Sequence, residues 1–200
     1  MTGRIVDLDE VLDLVLARPP RLATTRLVCV DGPAGSGKTT FSDRLAAAAR
    51  TRGRTVEIVH MDDVFEGWGG LDDAGHRVLT QVVRPLAQGH AGAYLRYDWD
   101  REQYDDTVAV DPADLLIIEG VGSGDPGYAE LVGVLVWVEA PTALRLSRGR
   151  ARDGAALEGR WRAWMPEEDR VHARDRTAQR ADVLVDGASG EISLGSPAGA

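Results

Sequence analysis

Residues 32–39 read Gly-Pro-Ala-Gly-Ser-Gly-Lys-Thr and satisfy the pattern GxxxxGK[ST] in full. They stand between an apolar run, Arg26–Asp31 (RLVCVD), and a stretch from residue 38 to 51 that reads as a helix. Average residue usage makes a chance match in a chain of this length an event of order 1%. The pattern restricts the fold because a strand must deliver the loop and a helix must receive it. The glycines let the backbone bend so that successive N–H groups converge on a phosphate. The helix N-terminus adds partial positive charge, Lys38 reaches the β- and γ-phosphates, and the Thr39 hydroxyl is a Mg²⁺ ligand. Gly32, Pro33, Ala34, Gly35, Ser36, Gly37, Lys38, Thr39 and Thr40 are therefore the expected nucleotide-binding set.

Around this loop, apolar runs alternate with helical patterns. Residues 7–17 place Leu8, Val11, Leu12, Val15 and Leu16 at helical spacing, and Pro19 and Pro20 stop that helix. Further strands are expected at 55–60, 115–119, 132–138 and 182–185, and further helices at 71–87, from Pro141 to about 152, and over 161–180. The tail offers one more strand at 191–194 and a frayed end at 196–200, while 94–110 divides into two short strands or extended loop. The apolar runs are nearly continuous, as in parallel strands covered on both faces. The expected fold is α/β: a P-loop NTPase three-layer arrangement with a mainly parallel five-stranded sheet, helices on both faces and a short Arg-rich lid. The expected division is an N-terminal helix over 1–20, a P-loop domain over 21–187 with its lid at about 148–162, and a tail over 188–200.

Composition narrows the function. Lys38 is the only lysine among 23 basic residues, so no lysine remains for the Asn-Lys-x-Asp motif by which GTPases read guanine. A formal charge of −9 disfavours non-specific nucleic-acid binding, which needs phosphates neutralised by Lys and Arg. Cys29, the single cysteine, cannot form an internal disulfide and fits inert core in a reducing compartment. Asp7, Asp9, Glu10 and Asp13 interrupt any leader-like apolar segment, and no run approaches the roughly 18 apolar residues that span a bilayer. A cytoplasmic protein, monomer or homodimer, with no membrane or nucleic-acid partner is expected. The four histidines show no metal-ligand spacing, so zinc is not expected.

Phosphoryl transfer needs a charge clamp, a metal and a group that orients the acceptor. Asp62 and Asp63 directly follow the second predicted strand, at the carboxyl end where open parallel sheets bind ligands. A carboxylate there takes the proton of an acceptor hydroxyl or holds Mg²⁺. Glu119 ends the third strand beside the first loop and is suited to a metal-bound water. Residues 145–180 hold ten arginines against six acids. Within them Arg148, Arg150 and Arg152 are spaced to reach a triphosphate, and arginine forks suit the spread charge of a transferring phosphoryl group. Trp68 and Trp99 offer stacking surfaces. Trp137, Trp161 and Trp164 are expected to pack in the core, and Arg77 and Arg84 to lie on the surface.

With those residues in place, the chain resembles the uridine kinase-like group of P-loop small-molecule kinases, of nucleoside monophosphate kinase fold, over roughly residues 26–187. Asp62-Asp63-Val64-Phe65 is similar to the group's Asp-x-Phe-Tyr segment, which implies a catalytic-base role for Asp62. Tyr97-Asp98-Trp99 resembles its nucleoside-touching Tyr-Asp-Phe segment, and Ile117-Ile118-Glu119-Gly120 its apolar strand ending Glu-Gly. Arg148-Gly149-Arg150-Ala151-Arg152-Asp153 resembles its Arg-rich lid helix, with Arg160 as a later lid arginine. Ala181-Asp182-Val183-Leu184-Val185 resembles its closing strand. Two departures stand out. Where uridine kinases carry a histidine soon after Tyr-Asp-Phe, this chain has Trp99-Asp100-Arg101, and Glu66-Gly67-Trp68-Gly69-Gly70-Leu71 differs from the usual segment.

The resemblance implies an ATP- and Mg²⁺-dependent kinase acting on a hydroxyl of a small, nucleoside-like acceptor. Lys38, Asp62, Arg148 and Arg152 are then catalytic. Asp62, Asp63, Trp68, Tyr97, Trp99 and Glu119 face the acceptor, Thr39 and Glu119 the metal, and Arg160 the nucleotide. A nucleotide kinase, an antibiotic-modifying phosphotransferase and a non-kinase ATP-binding regulatory module remain open alternatives.

Overall fold

A computed structural model describes residues 3–195, so the expected frayed end at 196–200 lies outside the described residues. The chain opens with β1 (Ile5–Val6) and α1 (Leu8–Ala17). Asp7 caps α1: its side chain accepts from the Glu10 N–H while the Glu10 side chain accepts from the Asp7 N–H. This reciprocal pair satisfies two amides that a helix start leaves without partners. The chain then runs through β2 (Arg26–Asp31), α2 (Lys38–Thr51), β3 (Val56–His60), α3 (Leu71–Val78) and α4 (Arg84–Ala87), the last two joined by a π-helical turn at Leu79–Val83. After them come β4 (Gly92–Asp98), β5 (Gln103–Val110), β6 (Leu115–Glu119) and β7 (Val134–Glu139). The C-terminal part holds α5 (Thr142–Asp153), α6 (Glu158–Asp175), α7 (Thr177–Arg180), β8 (Val183–Asp186) and β9 (Ile192–Leu194).

The sheet order is β1-β9-β8-β7-β2-β6-β3. The five strands β8, β7, β2, β6 and β3 pair in parallel, as expected. The sheet nevertheless has seven strands, because β9 adds antiparallel to β8 and β1 antiparallel to β9. β1 is two residues long, too short to leave a periodic signal, and it exists because β9 offers it an open edge. The ambiguous 94–110 region forms a separate antiparallel pair, β4–β5, with a register shift between Arg96 and Tyr97. The helix expected over 161–180 is broken at Arg176, whose φ of 51° is left-handed.

Helices cover both faces. On one, Val11, Leu12 and Val15 of α1 and Phe41 and Leu45 of α2 pack on Val28, Val30, Ile117 and Val136. On the other, Val78, Val82, Trp164 and Val171 pack on Cys29, Leu116, Ile118 and Leu135. β2 lies between β6 and β7, so successive crossovers from it leave in opposite directions. This is the topological switch point of an open parallel sheet, where ligands bind. The loop of residues 32–37 emerges there.

Candidate active site

Two backbone constraints shape the loop. Gly32 has φ +142°, and a Cβ there would stand 2.0 Å from the Val138 carbonyl oxygen, so only glycine fits. Gly37, at φ +111°, turns the chain into α2 and presents the helix N-terminus to the loop. Lys38 is buried and its Nζ donates to the Pro33 carbonyl at 3.0 Å, which holds the ammonium inside the loop. Below it, the wholly buried Asp31 accepts from the N–H groups of Gly32 (2.7 Å), Gly122 (2.9 Å) and Gly124 (2.9 Å). One carboxylate thus ties the start of the P-loop to the turn after β6, and His172 Nε2 contacts it at 3.2 Å.

Strand register brings the next residues together. Glu119 pairs with Val30 on one side and His60 on the other, so it lies at the carboxyl edge directly beside the P-loop. Thr39 Oγ1 donates to Glu119 Oε1 at 3.1 Å, and His60 Nδ1 is 2.6 Å from the same oxygen. The hydrogen bond to Glu119 raises the pKa of His60 against the opposing effect of its burial. A hydroxyl and a carboxylate beside a phosphate cradle are hard oxygen donors. The chemistry of this pair therefore fits Mg²⁺, which binds proteins through few such groups and substrate phosphates.

Asp62 follows β3 in a short 3₁₀ turn, Met61–Asp63. Its side chain meets solvent in the cleft mouth, yet the crowding cleft walls raise the carboxyl pKa. Lys38 and Arg152 oppose that rise, while Glu119 and Asp63 add to it. The β4–β5 hairpin braces this turn at three points. Trp99 Nε1 donates to the Asp62 carbonyl (2.9 Å), Tyr94 Oη to Asp63 Oδ2 (3.2 Å), and Tyr104 Oη to the Val64 carbonyl (3.2 Å).

The expected lid arginines part company. Arg152 lines the cleft, stacks over Trp161 at 5.5 Å and is tied to Asp153 at 2.7 Å. Arg148 also lines the cleft, but its guanidinium donates to the carbonyls of Gly35 (3.1 Å), Ser36 (3.1 Å) and Gly187 (2.8 Å). In this conformation it braces the P-loop against the turn after β8. Arg160 lies away from the cleft, 3.7 Å from Glu102 at the hairpin tip, and Arg150 does not line it either.

One cleft of about 730 Å³ unites Ala34, Gly35, Gly37, Lys38, Thr39 and Thr40 with Asp62, Asp63, Trp68, Trp99, Glu119, Arg148 and Arg152. Of the other expected contacts, Gly32, Pro33 and Ser36 shape the loop from outside the cleft lining. Tyr97 is buried behind Trp99, with ring centroids 5.5 Å apart. Trp161 and Trp164 are buried in the core as expected, 4% and 6% exposed, and both also line this cleft. Trp164 packs tilted against Phe65 (5.4 Å) and edge-on against Trp68 (5.8 Å), and Trp68 meets Trp99 edge-on (5.5 Å). Phe65 and Asp100 are further lining residues that sequence reasoning passed over. Glu168, fully buried one turn later, accepts from the Trp164 Nε1 at 3.1 Å. A second cleft, about 630 Å³, opens behind the P-loop over Trp137 and Glu139. Neither Lys38 nor Asp62 lines it.

Among the described residues, no group of three or more His, Cys, Asp or Glu side chains could hold a metal ion, and no helix is long and apolar enough to cross a membrane.

No family model and no curated protein matches the sequence. Solved structures do. A possible uridine kinase from Bacillus stearothermophilus aligns with a TM-score of 0.66 at 23% identity, over 88% of this chain and 96% of that one. A Silicibacter sp. TM1040 protein put forward as a fructose transport system kinase aligns with a TM-score of 0.60 at 23% identity, over 85% and 95%. The D-glycerate 3-kinase of Cryptococcus neoformans aligns with a TM-score of 0.59 at 13% identity, over 94% and 99%. The chain has the fold of P-loop kinases.

Proposed function

We propose that this protein is an ATP- and Mg²⁺-dependent kinase that phosphorylates a hydroxyl of a small molecule. The observation that carries the reading is a single cleft in which the Lys38 loop faces the Asp62 carboxylate, with aromatic walls beyond it. A module that only binds nucleotide has no use for an acceptor-side carboxylate and its walls.

Bound Mg²⁺–ATP supplies the phosphoryl group and neutralises its charge. The loop amides and the helix N-terminus hold the phosphates, and Lys38 stabilises charge on the transferring group. Thr39 and Glu119 would hold the metal, with His60 orienting the Glu119 carboxylate. Asp62 orients the acceptor hydroxyl and takes its proton, a task that a raised pKa favours. Arg152 closes the γ-phosphate end of the cleft from the lid over 148–162, and the tryptophans exclude water. Their flat faces suit a ring such as that of a nucleoside.

ADP release from Mg²⁺–ATP, measured against nucleosides, nucleotides, vitamins, sugars and aminoglycosides, tests the proposal. Acceptor-stimulated release that disappears in Lys38→Ala is expected. Nucleotide binding with no stimulation by any acceptor class would refute it.

A further inference from the structure

The acceptor half of the cleft has an unusual charge balance. Three carboxylates line it, Asp62, Asp63 and Asp100, against walls of Trp68, Trp99 and Trp164. Only Asp62 is needed as a base. Asp63 is met by a neutral phenol, Tyr94, and Asp100 has no ion-pair partner among the described residues. The cations that line the cleft, Lys38, Arg148 and Arg152, are at its phosphate end.

Nearby guanidinium groups are spent on carboxylates of their own. Arg77 pairs with Glu66 at 2.5 Å, Arg101 with Asp105 at 2.5 Å, and Arg96 with Asp106 at 2.5 Å. The hairpin tip over 98–106 carries five acids and one arginine, so the rim adds to the negative potential. An acceptor bearing its own phosphate or carboxylate would enter this half with no free cation to meet it. It would also face carboxylates that water screens poorly in a narrow cleft. Aromatic faces interleaved with unneutralised carboxylates are instead the surroundings that stabilise an organic cation.

We infer that the acceptor is a hydroxylated small molecule carrying an amine, with the ammonium seated between Asp100, Asp63 and the indole faces of Trp68 and Trp99. This rests on the kinase reading for the word acceptor, but the charge preference is a property of the cleft and can be measured without turnover. The unneutralised carboxylates do two things at once: they attract the amine and reject nucleotides and hydroxy acids.

The test uses the whole chain loaded with Mg²⁺ and a non-hydrolysable ATP analogue, so that the phosphate-end cations are covered. 2-Phenylethylamine, 2-phenylethanol and 3-phenylpropionate share one aromatic body and differ in charge. Their binding is followed through the tryptophan indole N–H resonances. The amine is expected to bind most tightly, the carboxylate at least about tenfold more weakly than the amine, with the gap narrowing as salt is added. Asp100→Asn, at an exposed position, should reduce the amine preference about three- to tenfold and leave the alcohol unchanged. Asp63→Asn should act in the same direction.

Phosphotransfer is then compared across adenosine, 3′-amino-3′-deoxyadenosine and adenosine 3′-monophosphate, with the amine expected to show the highest kcat/KM. Equal binding of amine and carboxylate, no amine-dependent shift, or an amine preference untouched by both substitutions overturns the inference. An intact amine preference without phosphotransfer to any acceptor class counts against the kinase reading alone.

Discussion

Glu168 offers a sharp test of how the cleft is held together. Its carboxylate is fully buried between the P-loop and the lid helix. Oε1 takes a 2.7 Å hydrogen bond from Arg145 Nη1, and Oε2 takes the Ala34 N–H at 2.8 Å and Trp164 Nε1 at 3.1 Å. The same side chain thus contacts the P-loop and the tryptophan wall of the cleft. Burial is the largest influence on its pKa and raises it against the opposing donors. Desolvation of this kind is why a buried ion pair is often no more stabilising than a well-packed apolar pair. Losing one partner is another matter. Glu168→Ala leaves the Arg145 charge, 6% exposed, without compensation, and strands the Ala34 amide and the Trp164 indole. Breaking a buried pair costs about 3–5 kcal/mol, which in a chain of this size lowers Tm by roughly 6–20 °C. Glu168→Gln keeps the shape but turns its NH₂ group toward one set of donors, so a cost of about 2–3 kcal/mol is expected. Arg145→Met combined with Glu168→Leu should recover the part of the loss due to the uncompensated Arg145 charge, while the Ala34 amide and the Trp164 indole stay without an acceptor. Urea denaturation with a constant m-value measures all three. A Glu168→Ala cost below about 1 kcal/mol, or a double variant as unstable as the single, would refute the reasoning.

The base assignment makes a prediction about pH. Asp62 acts as its carboxylate, so kcat/KM falls as pH drops through its raised pKa. The acid limb should therefore lie above the ordinary aspartate value of about 3.9. Asp62→Asn should lose about 10²- to 10⁴-fold in transfer with nucleotide affinity retained, and an acid limb that persists unchanged in that variant would remove Asp62 from the role. A Cβ at Gly187 would stand 1.9 Å from the Ser36 carbonyl oxygen, so Gly187→Ala should push the turn after β8 off the P-loop. A loss of about 1–3 kcal/mol in thermal unfolding together with weakened ADP binding is expected, and an unchanged ADP affinity would show that the contact does not shape the nucleotide site.

The nucleotide half of the site was legible because its chemistry is local. The bend, the cradle and the ammonium all lie within eight consecutive residues, and local backbone geometry does not depend on distant partners. Asp62 and Glu119 were legible for a related reason: each ends an apolar strand, and the carboxyl edge of a parallel sheet is where ligands bind. The core packing of Trp164 was legible, but its place on the cleft wall was not. Two tryptophans three apart on a helix carry the same signal whether they face a core or a cavity, and the choice depends on what Phe65 and Trp68 leave open opposite them. Arg148 and Arg160 show the same limit. Both are arginines in a basic segment, but one is anchored by three carbonyls and the other reaches out to Glu102.

From its order of residues alone, this chain was bound to form a parallel sheet with a phosphate loop at the end of β2. Glycine spacing, apolar runs and helix caps act over a few residues. The strand at 191–194 was expected, but β1, the antiparallel addition of both to the sheet edge and the sharing of Glu168 between loop and lid were decided in three dimensions. So was the placement of Asp62, Asp63 and Asp100 in one half of a cleft whose cations, Lys38, Arg148 and Arg152, lie at the other end beside Glu119 and Asp153. Each depends on residues far apart in the chain that meet only after the sheet has assembled, as Ile5 and Ser193 do, or the Ala34 N–H and Glu168. Charges of either sign are scattered along the sequence, and it is their placement around the closed cleft that sorts them.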